Sequence, residues 1–146
     1  MKSAGAARGN PARVLARKLA LQALYRWQLN RCTWQDLMQE FELAEEAPRA
    51  DREFFQSLVR QVCEHSEELD AQLSGWLDRP AAELDPIEHA ALLIGLTELQ
   101  THPEVPFRVA ISEAVALARR FGATDGHKFV NAVMDKAARA LRPHEH

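Results

Sequence analysis

Residues 85–101 constrain this chain more than any other stretch. They open with Asp85, Pro86 and Glu88, the residue types of a helix N-cap, first position and third position. The Asp85 side chain can accept from the third amide, Pro86 needs no donor, and Glu88 can reach back to the cap. The residues that follow (Ile87, Ala90, Ala91, Leu92, Leu93, Ile94, Gly95, Leu96 and Leu99) are apolar on every side of a helix instead of along one stripe. A helix of that kind must be surrounded by other elements. Ala90, Ala91 and Gly95 keep its girth small. Thr101, His102 and Pro103 end it, because the residue before a proline is pushed out of the helical region.

The rest of the chain supplies helices to surround it. A first helix is expected over residues 12–30, with Leu15, Ala16, Leu19, Ala20, Ala23, Leu24 and Trp27 on its main apolar face. Val14, Leu21 and Tyr25 form a second strip on roughly the opposite side, interleaved with Arg17, Lys18 and Gln28. That strip either packs on further helices or offers an aromatic and basic patch. Thr33 and Asp36 cap a short second helix carrying Trp34, Leu37, Met38 and Phe41. A third is expected over residues 50–64, and a short fourth carries Leu69, Leu73, Trp76 and Leu77. Beyond the central helix, a sixth repeats Ile111, Ala114, Val115 and Ala118 and stops at Gly122. A seventh, capped by Thr124 or Asp125, buries Val130, Val133, Met134, Ala137 and Leu141. No segment keeps the two-residue alternation of a strand. The expected fold is all-α: about seven helices in two small three-helix bundles that share the central helix.

With 146 residues the chain is one domain's worth. The expected organisation is a flexible basic arm over residues 1–11, an N-terminal helical subdomain over 12–66, a C-terminal one over 67–142 and a tail over 143–146. Cys32 and Cys63 lack the spacing of a metal site and are read as reduced thiols. No signal-peptide pattern is present, and no apolar run approaches the ~18 residues of a membrane span, so a cytoplasmic protein is expected. Charge is segregated along the chain. Residues 1–35 hold seven Lys or Arg and no acid, residues 36–104 hold 17 acids against four bases, and residues 105–146 hold seven bases against four acids. Such a distribution suggests one basic, partner-facing side.

Enzyme signatures are absent: there is no glycine-rich phosphate loop, HExxH or GxSxG, and the six histidines are scattered. No catalytic residue, metal or cofactor is expected. The informative cluster is residues 119–136, where Arg119, Arg120, Phe121, His127, Lys128 and Phe129 gather around a helix start. Phe129 lies about 85° from the centre of the seventh helix's apolar face. From that boundary an aromatic can stack on an unpaired base while Lys128 meets a phosphate. The competing reading is a local core in which Phe121 and Phe129 pack across the Gly122 turn.

Three segments carry a resemblance. Residues 16–29 (ARKLALQALYRWQL), residues 84–99 (LDPIEHAALLIGLTEL) and, most specifically, residues 105–136, with VPFRVAI, EAV, FGA and HKFVN in order, are similar to the NusB family of transcription antitermination factors. The resemblance implies two three-helix bundles and binding to the boxA sequence of nascent ribosomal RNA transcripts. It implies as partner the small-subunit ribosomal protein NusE, within an elongation complex that contains other Nus factors. RNA contacts are then expected from the arginine-rich N-terminal segment, here Arg8, Arg13, Arg17 and Lys18, and from Phe121, Asp125, Lys128 and Phe129. Tyr25 and Glu88 match positions on the surface for the ribosomal protein. Departures from the family's pattern are Val14 and Leu15, which dilute its arginine run, Thr97 for a frequent tyrosine and Ala132 for a frequent glycine. Two other classes fit less of the chain: a helical module like the N-terminal part of ribosomal RNA cytosine methyltransferases, whose cofactor-binding domain is not seen in the sequence, and a helical adaptor that binds no RNA.

Overall fold

The computed structural model describes residues 8–145. Its α-helices are α1 (Pro11–Leu29), α2 (Trp34–Glu42), α3 (Arg52–Leu73), α4 (Pro86–Thr101), α5 (Phe107–Phe121) and α6 (Gly126–Leu141), with short 3-10 turns at Ala47–Arg49, Ala81–Glu83 and Pro143–Glu145. Among the described residues there is no strand. The expected third and fourth helices follow one another along α3, separated by non-helical backbone at His65 (φ -131°, ψ 25°). The subdomain boundary proposed between residues 66 and 67 falls inside α3, just past that break.

The central helix is α4. It packs on α5 and α6 on one side and on α1 and α3 on the other, while α2 lies against α3. Every residue from 90 to 99 is buried. Gly95 lets α6 come close, since a Cβ there would stand 2.5 Å from the Met134 methyl. Thr97, buried beside it, returns its hydroxyl to the Leu93 carbonyl at 2.8 Å.

Local chemistry sets the helix ends. Asn10 caps α1 by accepting from the Arg13 amide at 2.9 Å, and Thr33 with Asp36 completes the expected capping box on α2. Asp51 caps α3. On α4 only half of the expected box is present: Asp85 accepts from the Glu88 amide at 3.4 Å, whereas the Glu88 carboxylate faces Gly126 at the start of α6. Of the arm expected over residues 1–11, residues 1–7 lie outside the described residues. Arg8 and Gly9 are tied down on Glu113, and Asn10 is the α1 cap.

Candidate nucleic-acid interface

The basic segment over residues 1–35 does not present its cations evenly, because most of them meet acids contributed by later segments. Arg17 is the clearest case and corrects its expected place in an RNA surface. It is 1% exposed, with Nε and Nη2 each donating to Glu98 at 2.7 Å. The reason is packing: α1 is flanked by α3, α4 and α5, so the strip holding Arg17 and Leu21 is covered as well as the main apolar face. Burial pushes the Glu98 carboxyl up, and the Arg17 bonds pull it back. Arg13 stacks over Phe54 at 4.1 Å and donates to Glu104 at 3.0 Å, with Asp51 at 3.4 Å. Lys18 reaches Glu46 at 2.7 Å.

The α1 start and the α5 end together form a groove of about 340 Å3 whose walls include Arg8, Lys18, Arg119, Arg120, Phe121 and Glu113. The Arg120 guanidinium lies over the Phe121 ring at 4.8 Å. Among the described residues neither Arg119 nor Arg120 has a carboxylate partner. Segments more than a hundred residues apart thus build one cationic groove with an aromatic in its wall. A ring face beside unpaired guanidinium groups suits an unstacked base and its phosphate.

One turn further on, Asp125 adopts left-handed backbone geometry (φ 68°) and its side chain makes no capping bond. This corrects the expectation of a side-chain cap by Asp125 on the last helix. Its carboxylate instead meets the exposed Lys128 ammonium at 3.3 Å. Phe129 is half-buried against the core and is covered on one face by the Arg79 guanidinium at 4.7 Å. Arg79 is itself held by Asp78.

The two residues matched to a protein partner differ in exposure. Tyr25 is 37% exposed, whereas Glu88 is buried. Arg17 pairs with Glu98 near the end of α4 and Arg13 with Glu104 just beyond it, so the first half of α1 lies beside the α4 end. Desolvation and the nearby Asp85 push the Glu88 carboxyl up, against the pull of Arg79.

Residues 15–139 match the NusB family. The chain belongs to this family. A transcription antitermination protein NusB from Idiomarina loihiensis is 46% identical over 132 residues, which cover 90% of this chain and 95% of the relative. The solved structure of T. maritima NusB aligns with a TM-score of 0.79 at 26% identity, over 95% of this chain and 97% of that one. A crystal structure of antitermination factors NusB and NusE in complex with dsRNA contains a chain that aligns with a TM-score of 0.68 at 25% identity, over 87% of this chain and 96% of that one.

Of the residues that the NusB resemblance singled out, the structure brings Arg8, Lys18 and Phe121 into one groove, sets Asp125 and Lys128 on the adjoining turn, and takes Arg17 away into the core. Sequence reading missed Arg79 and Glu113. Arg79 meets Phe129 across 50 residues of chain, and Glu113 meets Arg8 across 105. No local pattern signals contacts of that range. Among the described residues no helix is long and apolar enough to cross a membrane.

Proposed function

We propose that this NusB-family chain is a transcription antitermination factor that binds boxA RNA of nascent ribosomal RNA transcripts together with the ribosomal protein NusE. It does so in the elongation complex, in the cytoplasm, as a binding protein and not a catalyst. The observation that carries the reading is the groove lined by Arg8, Lys18, Arg119, Arg120 and Phe121. Phosphates meet the guanidinium and ammonium groups, and a base meets a ring. In this reading Phe121, Lys128 and Phe129 contact bases or phosphates, Asp125 limits affinity by its charge, and Arg13 contributes through its solvent-facing edge. Tyr25 and Glu88 serve the ribosomal protein: Tyr25 offers exposed surface, and Glu88, 8% exposed, lies at the α4 start against the first residue of α6. The two subdomains, residues 12–66 and 67–142, are joined through α3 and α4.

The experiment is retention of a labelled boxA-like RNA by the purified chain, with and without the ribosomal protein, at several salt concentrations. The expected result is binding that strengthens with the partner and weakens steeply with salt. Equal retention of an unrelated RNA of the same length, whether or not the partner is present, would refute the assignment.

A further inference from the structure

We infer that Glu113 is a positioning residue for RNA: it holds Arg8 so that the free edge of the guanidinium faces the cationic groove. The inference rests on the proposed RNA-binding reading. A buried carboxylate in the wall of a groove for a polyanion is unfavourable by charge alone, so its presence calls for another cause. Its bonds supply one. Arg8 Nε donates to Glu113 Oε2 at 2.6 Å, Arg8 Nη2 to Oε1 at 3.2 Å, and the Gly9 amide to Oε2 at 2.8 Å.

The grip is two-sided and leaves a specific edge free. Holding Nε and Nη2 leaves both Nη1 hydrogens available, and the Arg8 side chain is 51% exposed. The chain on either side is fixed as well. A Cβ on Gly9 would stand 2.5 Å from Arg17 Nη1, so Gly9 lies directly on the buried Arg17. Asn10 then caps α1. An arginine fixed in this way has already lost the rotamer freedom that a phosphate contact would otherwise remove on binding.

Charge and positioning predict opposite signs, which makes the inference testable. If Glu113 acts only through its charge, Glu113→Gln removes repulsion and tightens RNA binding. If it positions Arg8, Glu113→Gln weakens binding, and only where Arg8 is present. The experiment is a set of titrations with single-stranded boxA-like RNA at two or more salt concentrations, on the parent, Arg8→Ala, Glu113→Gln and the double variant, each checked by a thermal melt. We expect Arg8→Ala to lose on the order of tenfold in affinity, as for one charge-assisted contact, and to flatten the log–log salt slope by about 0.7. Glu113→Gln should lose a comparable factor, and the double variant should bind no more weakly than either single one. Tighter binding by Glu113→Gln in the parent background, or losses that multiply in the double variant, would overturn the inference while leaving RNA binding intact. Failure of the parent to bind would overturn both. Should Glu113→Gln not stay folded, Arg8→Lys keeps the charge but loses the two-point grip. It should bind as weakly as Arg8→Ala, and parent-like affinity would overturn the inference.

Discussion

Arg17 and Glu98 meet through two 2.7 Å bonds in the middle of the fold, and only 1% of either side chain is exposed. Phe54 lies beside them, with the Arg17 guanidinium 4.9 Å from its ring centroid. Truncating one partner leaves the other charge buried without its counterion, which costs about 3 to 5 kcal/mol. Arg17→Met and Glu98→Gln should each lower stability by that order in urea unfolding. The double apolar variant Arg17→Met with Glu98→Leu should recover most of the loss, because the desolvation of both ions then disappears together. An Arg17→Met protein of unchanged stability and weakened RNA affinity would return this residue to the RNA surface.

A second ion network ties the α4–α5 corner to α1 and α3. Glu104 accepts from Arg13 at 3.0 Å and pairs with His102 Nδ1 at 3.0 Å, while His102 Nε2 meets the Ser57 hydroxyl at 2.8 Å. Desolvation pushes the Glu104 carboxyl up, but bonds from its own backbone amide, His102 and Arg13 outweigh it and hold the group at about 2. Because the folded value lies below the ordinary 4.5, the ionised carboxylate stabilises the fold above pH 4.5, and that contribution disappears as pH falls toward 2. Thermal melts of the parent and Glu104→Gln should therefore differ at pH 6, with the parent more stable, and converge on acidification. A gap that stays constant down to pH 2 would contradict the assignment.

Phe129 shares its ring between the core and the Arg79 guanidinium. Being half-buried, it should cost less stability on truncation than the ~3 to 5 kcal/mol typical of a buried phenylalanine. If a base stacks there, Phe129→Ala should cost about 1 to 3 kcal/mol of RNA affinity. Melts and RNA titrations on the one variant separate the roles. Severe destabilisation with unchanged affinity in the folded fraction would assign the ring to the core.

The central helix was legible because its apolar residues lie on every side, which calls for enclosure by other helices. The first helix shows where such reading stops. Its second strip allowed either packing or an exposed patch, and the structure divides it, with Leu21 at 1% exposure and Tyr25 at 37%. Which cations stay free was illegible for a related reason. Lys18, Arg13 and Arg8 find acids 28, 91 and 105 residues away, so segregation along the sequence closes into pairs in space. That Arg119 and Arg120 are, among the described residues, guanidinium groups of the groove without a carboxylate partner is known only once those pairs are placed. The break at His65 falls at the end expected for the third helix, although no proline or glycine stands beside it.

Asp125 stands at the start of α6, beside the cationic groove. Its residue type suits a helix cap, yet the side chain makes no capping bond, and the backbone sits at φ 68°. Aspartate and asparagine are among the residues that tolerate this left-handed region best. Asp125→Asn should therefore keep the turn. The lost pair with Lys128 is exposed on both sides, so it is worth at most ~1 kcal/mol. Two effects on RNA then point the same way: the Lys128 ammonium is released, and a negative charge leaves the turn beside the groove. Asp125→Asn should bind boxA-like RNA more tightly than the parent and depend less on the ribosomal protein. The gain should be larger at low salt, since these charges are screened over ~10 Å at 0.1 M. Paired RNA titrations at two salt concentrations, alongside a melt, measure it. Weaker RNA binding with an unchanged melt would mean that the Asp125 carboxylate accepts a hydrogen bond from the RNA and does not repel it.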